Sequence, residues 1–281
     1  MNQVFDFRRF TLLVGKHWSE NRKKYLFGIG GMIALLVFWF AFILLVDERR
    51  IPNELQAMTY YFGLAITGCF FGSILFSDIA SGPKAMSYLS FPASHLEKLI
   101  CGLLYGVVIF FGVFTLAFYL VDIPMVMFSD KSTVTTVVNG VETIYEDKVV
   151  NIFGNPFNVP EGNPGPTTIF LYSYVAVQSA FILGGVYFPK FSFLKTAIVL
   201  LLLVLFLVFF LTKVLSGILP EGNNFSDLST MRVYEPDGNY TNYKTVALPY
   251  WMQQTLKYVV QFAFAPIFWV VTYFRIKEKQ V

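Results

Sequence analysis

Charge is scarce in this sequence. Asp, Glu, Lys and Arg make up only 14% of its 281 residues, against about 25% in an ordinary soluble domain. Histidine occurs twice, as His17 and His95, and cysteine twice, as Cys69 and Cys101. Two distant histidines without a clustered carboxylate make a poor metal site. Both cysteines lie inside apolar runs, which reads as small packed hydrophobes rather than a disulfide framework. The GxxxxGK[ST] phosphate loop, HExxH and GxSxG are all missing. Their absence excludes P-loop ATP binding, zinc-peptidase chemistry and the nucleophile-elbow hydrolases, so the chain is not expected to be an enzyme. A net charge of +3 is too small to point to nucleic acid.

Charge is also missing from the middle of every apolar run. Asp78 and Asp122 stand at run ends, where they are expected to reach water. That argues against a proton- or ion-coupled carrier and against a charged-ring channel filter, since both usually need a buried charged group. A cleavable signal peptide is not expected either. The first apolar run begins near Leu26 and is too long for a signal core.

Apolar surface is abundant instead. The sequence is 56% hydrophobic with 32 phenylalanines, more than a soluble protein of this size could keep out of water. Lipid is the solvent that fits. A bilayer core needs about 20 apolar residues in a helix, and six segments approach this: 26–46, 60–76, 99–121, 168–188, 194–211 and 258–273. Glycines in the first three ("GIGG", "TGCFFG", "CGLLYG") suit close helix–helix approach in lipid. The expected fold class is an all-α membrane protein with six transmembrane helices, an N-terminal amphipathic interface helix and small, partly β external loops. The expected division is 1–25 for the interface helix and 26–281 for the transmembrane domain.

Orientation follows from the Lys and Arg balance. Of 21 such residues, 13 fall in the N-terminal segment, the second-to-third and fourth-to-fifth connections and the tail. With an even number of spans, both termini are expected to be cytoplasmic. The connections 122–166 and 212–257 are then external and long. Asn139-Gly140 and Asp237-Gly238 are hairpin-type turn signals within them.

Before the first span, Phe7, Phe10, Val14 and Trp18 fall three or four apart, one face of a helix. Such a basic amphipathic segment is expected to lie in the interface. Within the spans the polar residues are mild. Gln178, with Tyr174 and Thr67, is the candidate lining of a polar seam, and an interhelical hydrogen bond is the structural alternative.

The stretch "SGPKAMSYLSFPASHLEKLI" connects the second and third runs. Gly82-Pro83 makes a turn, "KAMSYLSF" is long enough for about two helical turns, and Pro92 breaks the helix. Ser94 and Glu97 read as a capping box that starts the third span. Met86, Tyr88 and Phe91 would offer apolar groups to a partner's groove. From spacing alone, a docking helix and a well-capped return turn fit equally.

The layout of the whole chain, together with "SGPKAMSYLSFPASHLEKLICGLLYGVV", resembles the permease subunit of type-2 ABC exporters. That resemblance implies a coupling helix at 84–91 that docks on a separate ATPase. Lys84, Met86, Ser87, Tyr88 and Phe91 would carry the contact, and Pro92, Ser94, Glu97 and Lys98 would shape the return. It also implies a homodimer or heterodimer of permeases in a bacterial inner membrane, with ATP and Mg on the partner ATPase and no cofactor on this chain. An apolar lining would suit an apolar or amphipathic cargo. The chain departs from the family in the loop between spans three and four, which is as long as the one between five and six and looks β-like. The alternative from the same residues is a non-transporting membrane scaffold that binds an envelope partner through its external loops.

Overall fold

The computed structural model describes residues 5–46, 50–76, 92–129, 133–138, 141–146, 148–154, 166–210, 213, 224–227, 230–234, 243–247 and 249–279. Five of its helices are long and apolar enough to cross a membrane. The first is α1 (Phe7–Val46) and the second α2 (Asn53–Leu75). The third runs from His95 to Phe128 in three pieces: α3 (His95–Leu103), a π-helical segment (Leu104–Ile109) and α4 (Phe110–Phe128). The fourth and fifth are α5 (Pro166–Tyr187) and α6 (Ser192–Phe209). A helix pair, α7 (Tyr250–Phe262) and α8 (Phe264–Glu278), ends the chain. Between α4 and α5, β1 (Thr133–Val138) pairs antiparallel with β2 (Val141–Glu146). Between α6 and α7, β3 (Asn224–Asp227), β4 (Thr230–Tyr234) and β5 (Tyr243–Ala247) form an antiparallel sheet in chain order.

The helices run alternately up and down between two ends. At one end Phe76, Leu99, Ile182, Val186 and Ile276 pack together, and Leu13 packs with Cys101 and Tyr105. At the other, Phe40, Ile43, Ile51, Tyr60, Phe118 and Val126 form the largest core, which Val150 and Ile152 complete. The start of α1 and the end of α8 both lie at the first end, which is also where most of the basic residues cluster. We call it the basic end and the other the far end.

The fold departs from the sequence expectations in four places. The interface helix and first span are one unbroken 40-residue helix rather than two elements meeting at residue 25. "ENRKKY" holds Glu, Arg and two Lys, which are good helix formers, and no Gly or Pro; the polar-to-apolar change beyond it is a change of solvent, not of backbone propensity. At about 1.5 Å per residue this rod is about twice as long as the ~30 Å hydrocarbon core.

The expected sixth span, 258–273, straddles the joint between α7 and α8 and is not among the five long helices. Pro266 explains the joint. It has no N–H for the Phe262 carbonyl, and its ring crowds that turn. The Ala263 and Ile267 amides still bond back to Val259 and Ala263, at 2.9 and 3.1 Å, so the chain kinks without unwinding.

The third helix continues past Asp122 and through Pro124 to Phe128, because Val126 is buried in the far-end core. The loop expected from residue 122 therefore begins later. Lastly, Gly28, Gly30 and Gly31 of "GIGG" have open space where a Cβ would stand and support no close helix contact within the chain. The α2 glycines do. A Cβ on Gly68 would lie 2.6 Å from the Tyr174 hydroxyl oxygen, so the Gly68–Gly72 spacing lets α5 approach as small residues do in lipid.

Candidate functional site: the clasp at the basic end

The candidate site starts at Ser94. Pro92 is exposed, and Ser94 takes extended backbone angles (φ −68°, ψ 157°) as the N-cap of α3. Its Oγ accepts from Glu97 N at 3.1 Å, and Ser94 N donates to Glu97 Oε2 at 2.8 Å. This is the reciprocal capping box that Ser94 and Glu97 spell in the sequence.

Glu97 then does more than cap. Its second oxygen, Oε1, accepts from Asp6 N at 2.7 Å and from an Arg9 guanidinium nitrogen at 3.1 Å. The Glu97 side chain is fully buried, while that of Arg9 remains 40% exposed. A buried carboxylate is tolerable only with such partners. Asp6 in turn holds the first turn of α1, with its Oδ1 accepting from Arg8 N at 2.8 Å and Arg9 N at 3.4 Å. One carboxylate therefore joins the start of α1 to the turn that begins α3. Lys98 is buried beside it, 1% exposed.

A second tier ties α1 to the π-helical segment that continues α3. The Tyr105 hydroxyl donates to Val14 O at 3.0 Å, and His17 Nε2 and the Tyr25 hydroxyl are 2.6 Å apart. The His17 and Tyr105 rings lie 4.6 Å apart. Of the amphipathic face expected to lie in the membrane interface, Phe10 and Val14 pack against Leu13, Cys101 and Tyr105. Phe7 and Trp18 stay exposed. Leu13, buried and absent from the face read in the sequence, shows that the contact stripe is rotated toward α3.

The C-terminus reaches this end too. Lys279 Nζ donates to the Val186 carbonyl at 2.6 Å, which caps the last turn of α5. Burial, and then the neighbouring Arg275 charge, push the Lys279 ammonium pKa down from its ordinary value.

The coupling-type positions Lys84, Met86, Ser87, Tyr88 and Phe91 lie outside the described residues. The candidate path residues are brought together only in part. Gln178 is fully buried, and its Nε2 donates to Gly106 O at 2.6 Å. The π-helical turn explains that bond. Phe110 N donates to Tyr105 O, five residues back, and to Val107 O. Gly106 O is thereby left without its usual donor, and Gln178 satisfies it. Tyr174, 3% exposed, fills the space over Gly68. Thr67 bonds back to its own helix at Gly63 O, 2.5 Å away. Gln178 thus makes the interhelical hydrogen bond that was the structural alternative read from the sequence, while the buried Tyr174 hydroxyl has no hydrogen-bond partner among the described residues.

The far end is built differently. Residues 148–154 lie across it as a strap. Gln56, fully buried, donates through Nε2 to Ile51 O and Lys148 O, both at 3.2 Å, and accepts Val150 N at 3.1 Å. The Tyr61 hydroxyl donates to Ile152 O at 3.1 Å. The Tyr119 hydroxyl lies 3.2 Å from both Val150 O and Ile152 N. Asp122, expected to reach water, is instead completely buried in this layer. The signal that could have found it is helical spacing. Phe118 and Val126, four residues to either side, are both core residues.

Among the described residues no group of three His, Cys, Asp or Glu side chains could hold a metal ion. No protein-family model, no characterised protein and no solved structure matches the chain.

Proposed function

We propose that this chain is the membrane-spanning permease subunit of an ABC-type exporter, working with a separate ATPase that binds the ATP and Mg. Six spans, with the kinked α7–α8 pair as the sixth, put both termini in the cytoplasm of a bacterial cell and the strap and β-strands outside. The cargo class is apolar or amphipathic, and the working unit is a homodimer or heterodimer of permeases.

The observation that carries this reading is the Glu97 clasp. A push on 84–91 arrives at Pro92 and Ser94. Through one buried carboxylate it would reach both α3 and the start of α1. Rigid transmission of that kind is what an ATPase-driven rocking of helices needs. The test is a mild-detergent pull-down of the tagged chain from its own host. A stoichiometric P-loop ATPase supports the reading. Tyr88→Glu, or a Gly-Ser replacement of 84–91, should leave insertion intact and abolish that co-purification. Unchanged co-purification would sink the docking role.

One observation favours a second reading. The strap at the far end is anchored by five neutral side chains, Asn53, Gln56, Tyr61, Tyr119 and Thr167. That is a rigid external platform of the kind a non-transporting scaffold would present to an envelope partner. Recovery of envelope proteins without any ATPase would move the function there.

A further inference from the structure

Asp122 is the one fully buried carboxyl that the fold leaves without a hydrogen bond among the described residues. It is 0% exposed, and neither of its oxygens has a partner. It sits on the inward face of α4 between the core residues Phe118 and Val126. The outward face at the same level carries Leu116, Leu120, Ile123 and Met127, all exposed and all apolar. A helix apolar on its outer side at this depth is still within the hydrocarbon layer, so water does not reach Asp122 from that side either.

The elements packed on α4 are α1, α2 and the π-helical segment. Between Leu26 and Val46, α1 has no ionisable residue. Facing groups on α2 are Tyr60, bonded to Thr115, and Tyr61, bonded to Ile152 O and Thr167. Cys69 is buried further along α2, and Glu54 is exposed at its first turn. Tyr105 of the π-helical segment is committed to Val14 O, and Tyr119 of α4 to the strap. Lys148 of the strap is exposed, and Arg50 precedes α2. None of these groups bonds to Asp122.

A bare carboxylate in such a place costs several kcal/mol, and groups so placed are held as the neutral acid. The same acid ionises once water arrives. A sealed and an open form of the far end would therefore differ by one proton. The helix also has a weak point beside this residue: Pro124 deprives the Leu120 carbonyl of its helical donor.

We propose that Asp122 is a proton-binding site that couples opening of the far end to proton release. While the layer is sealed the carboxyl is neutral. When the layer parts, its O–H bond breaks, the electron pair stays on the carboxylate and the proton passes to water. Closure takes a proton back. This adds a proton-linked step that the permease reading does not contain, and it needs no ATPase.

The test uses the full-length protein in lipid nanodiscs with no partner added. Two signals are followed from acid to alkaline pH. One is the protonated-carboxyl stretch in infrared difference spectra. The other is maleimide labelling of an Ile152→Cys variant, after subtracting the labelling of the unsubstituted chain and dividing by the rate of a free cysteine peptide at the same pH, since the thiolate is the form that reacts. A carboxyl band that titrates in the wild type and is missing in Asp122→Asn is expected. Labelling should accelerate with pH, by up to about tenfold per unit for a one-proton linkage, and lose that dependence in Asp122→Asn. The amide has the shape of the acid and cannot ionise. Asp122→Leu repeats the test if the amide fails to fold. A band that survives in both variants, or wild-type labelling indifferent to pH, overturns the proposal. Either result leaves the ATPase pull-down untouched, so the two ideas fail separately.

Discussion

The two ends of this bundle solve one problem with opposite chemistry. Each must tie a segment outside the helices to the helices themselves. At the basic end the tie is ionic and central: Glu97 alone holds Ser94 N, Asp6 N and Arg9. At the far end it is neutral and distributed, with Gln56, Tyr61 and Tyr119 bridging backbone groups of the strap. A buried acidic side chain is served at one end and left without partners among the described residues at the other. Burial of an acid therefore says little until its partners are known. With three donors Glu97 is a rivet, whereas Asp122 without any is a group that must stay neutral or become exposed.

The sharpest way to break this comparison is to remove the rivet. Glu97→Ala strands two backbone amides and removes the carboxylate that Arg9 donates to, at a cost on the order of 3 kcal/mol. Thermal unfolding in detergent should fall clearly, and proteolysis of the N-terminal segment should speed up. An unchanged midpoint would mean that the clasp is not what joins α1 to α3.

Gln56→Ala tests the distributed end. It removes three hydrogen bonds to Ile51, Lys148 and Val150, but Tyr61 and Tyr119 remain. A loss of about 2 kcal/mol is expected. Faster amide exchange should be confined to 148–154. If exchange also rose at the basic end, the two ends would not be independent.

The smallest effect belongs to Arg9→Ala. Its side chain is 40% exposed, and Glu97 keeps both backbone donors, so about 1 kcal/mol is at stake. The useful readout is salt. The difference between this variant and the wild type should shrink as salt rises, while the Gln56→Ala difference should not. Equal salt response in the two variants would erase the ionic-versus-neutral contrast.

Much of the architecture was legible from the residues. Apolar runs marked where long helices lie, because a membrane helix must be apolar over its length whatever it packs against. The Ser94–Glu97 box was legible because a capping box is a local, four-residue interaction. The kink at Pro266 follows from Pro alone, although hydropathy merged both sides of it into one span. The Glu97–Asp6 and Glu97–Arg9 bonds were not legible. Their partners lie 91 and 88 residues apart, and no local pattern encodes which distant amide a carboxylate will meet. For the same reason Gln178 could be singled out as polar within a span, while its acceptor at Gly106 depended on a π-helical turn that nothing in "CGLLYG" announces.

The sequence by itself determined that this is a multi-pass helical membrane protein and how its α3 helix starts. Both follow from solvent and from nearest-neighbour chemistry. Only the tertiary structure decided which distant donors each acid meets. Glu97 stands between Leu96 and Lys98 and Asp122 between Val121 and Ile123, and neither setting names a partner beyond its own turn. The packing of α1 against α3 brings donors to the first, and the packing of α1 and α2 against α4 brings only hydrocarbon and committed hydroxyls to the second.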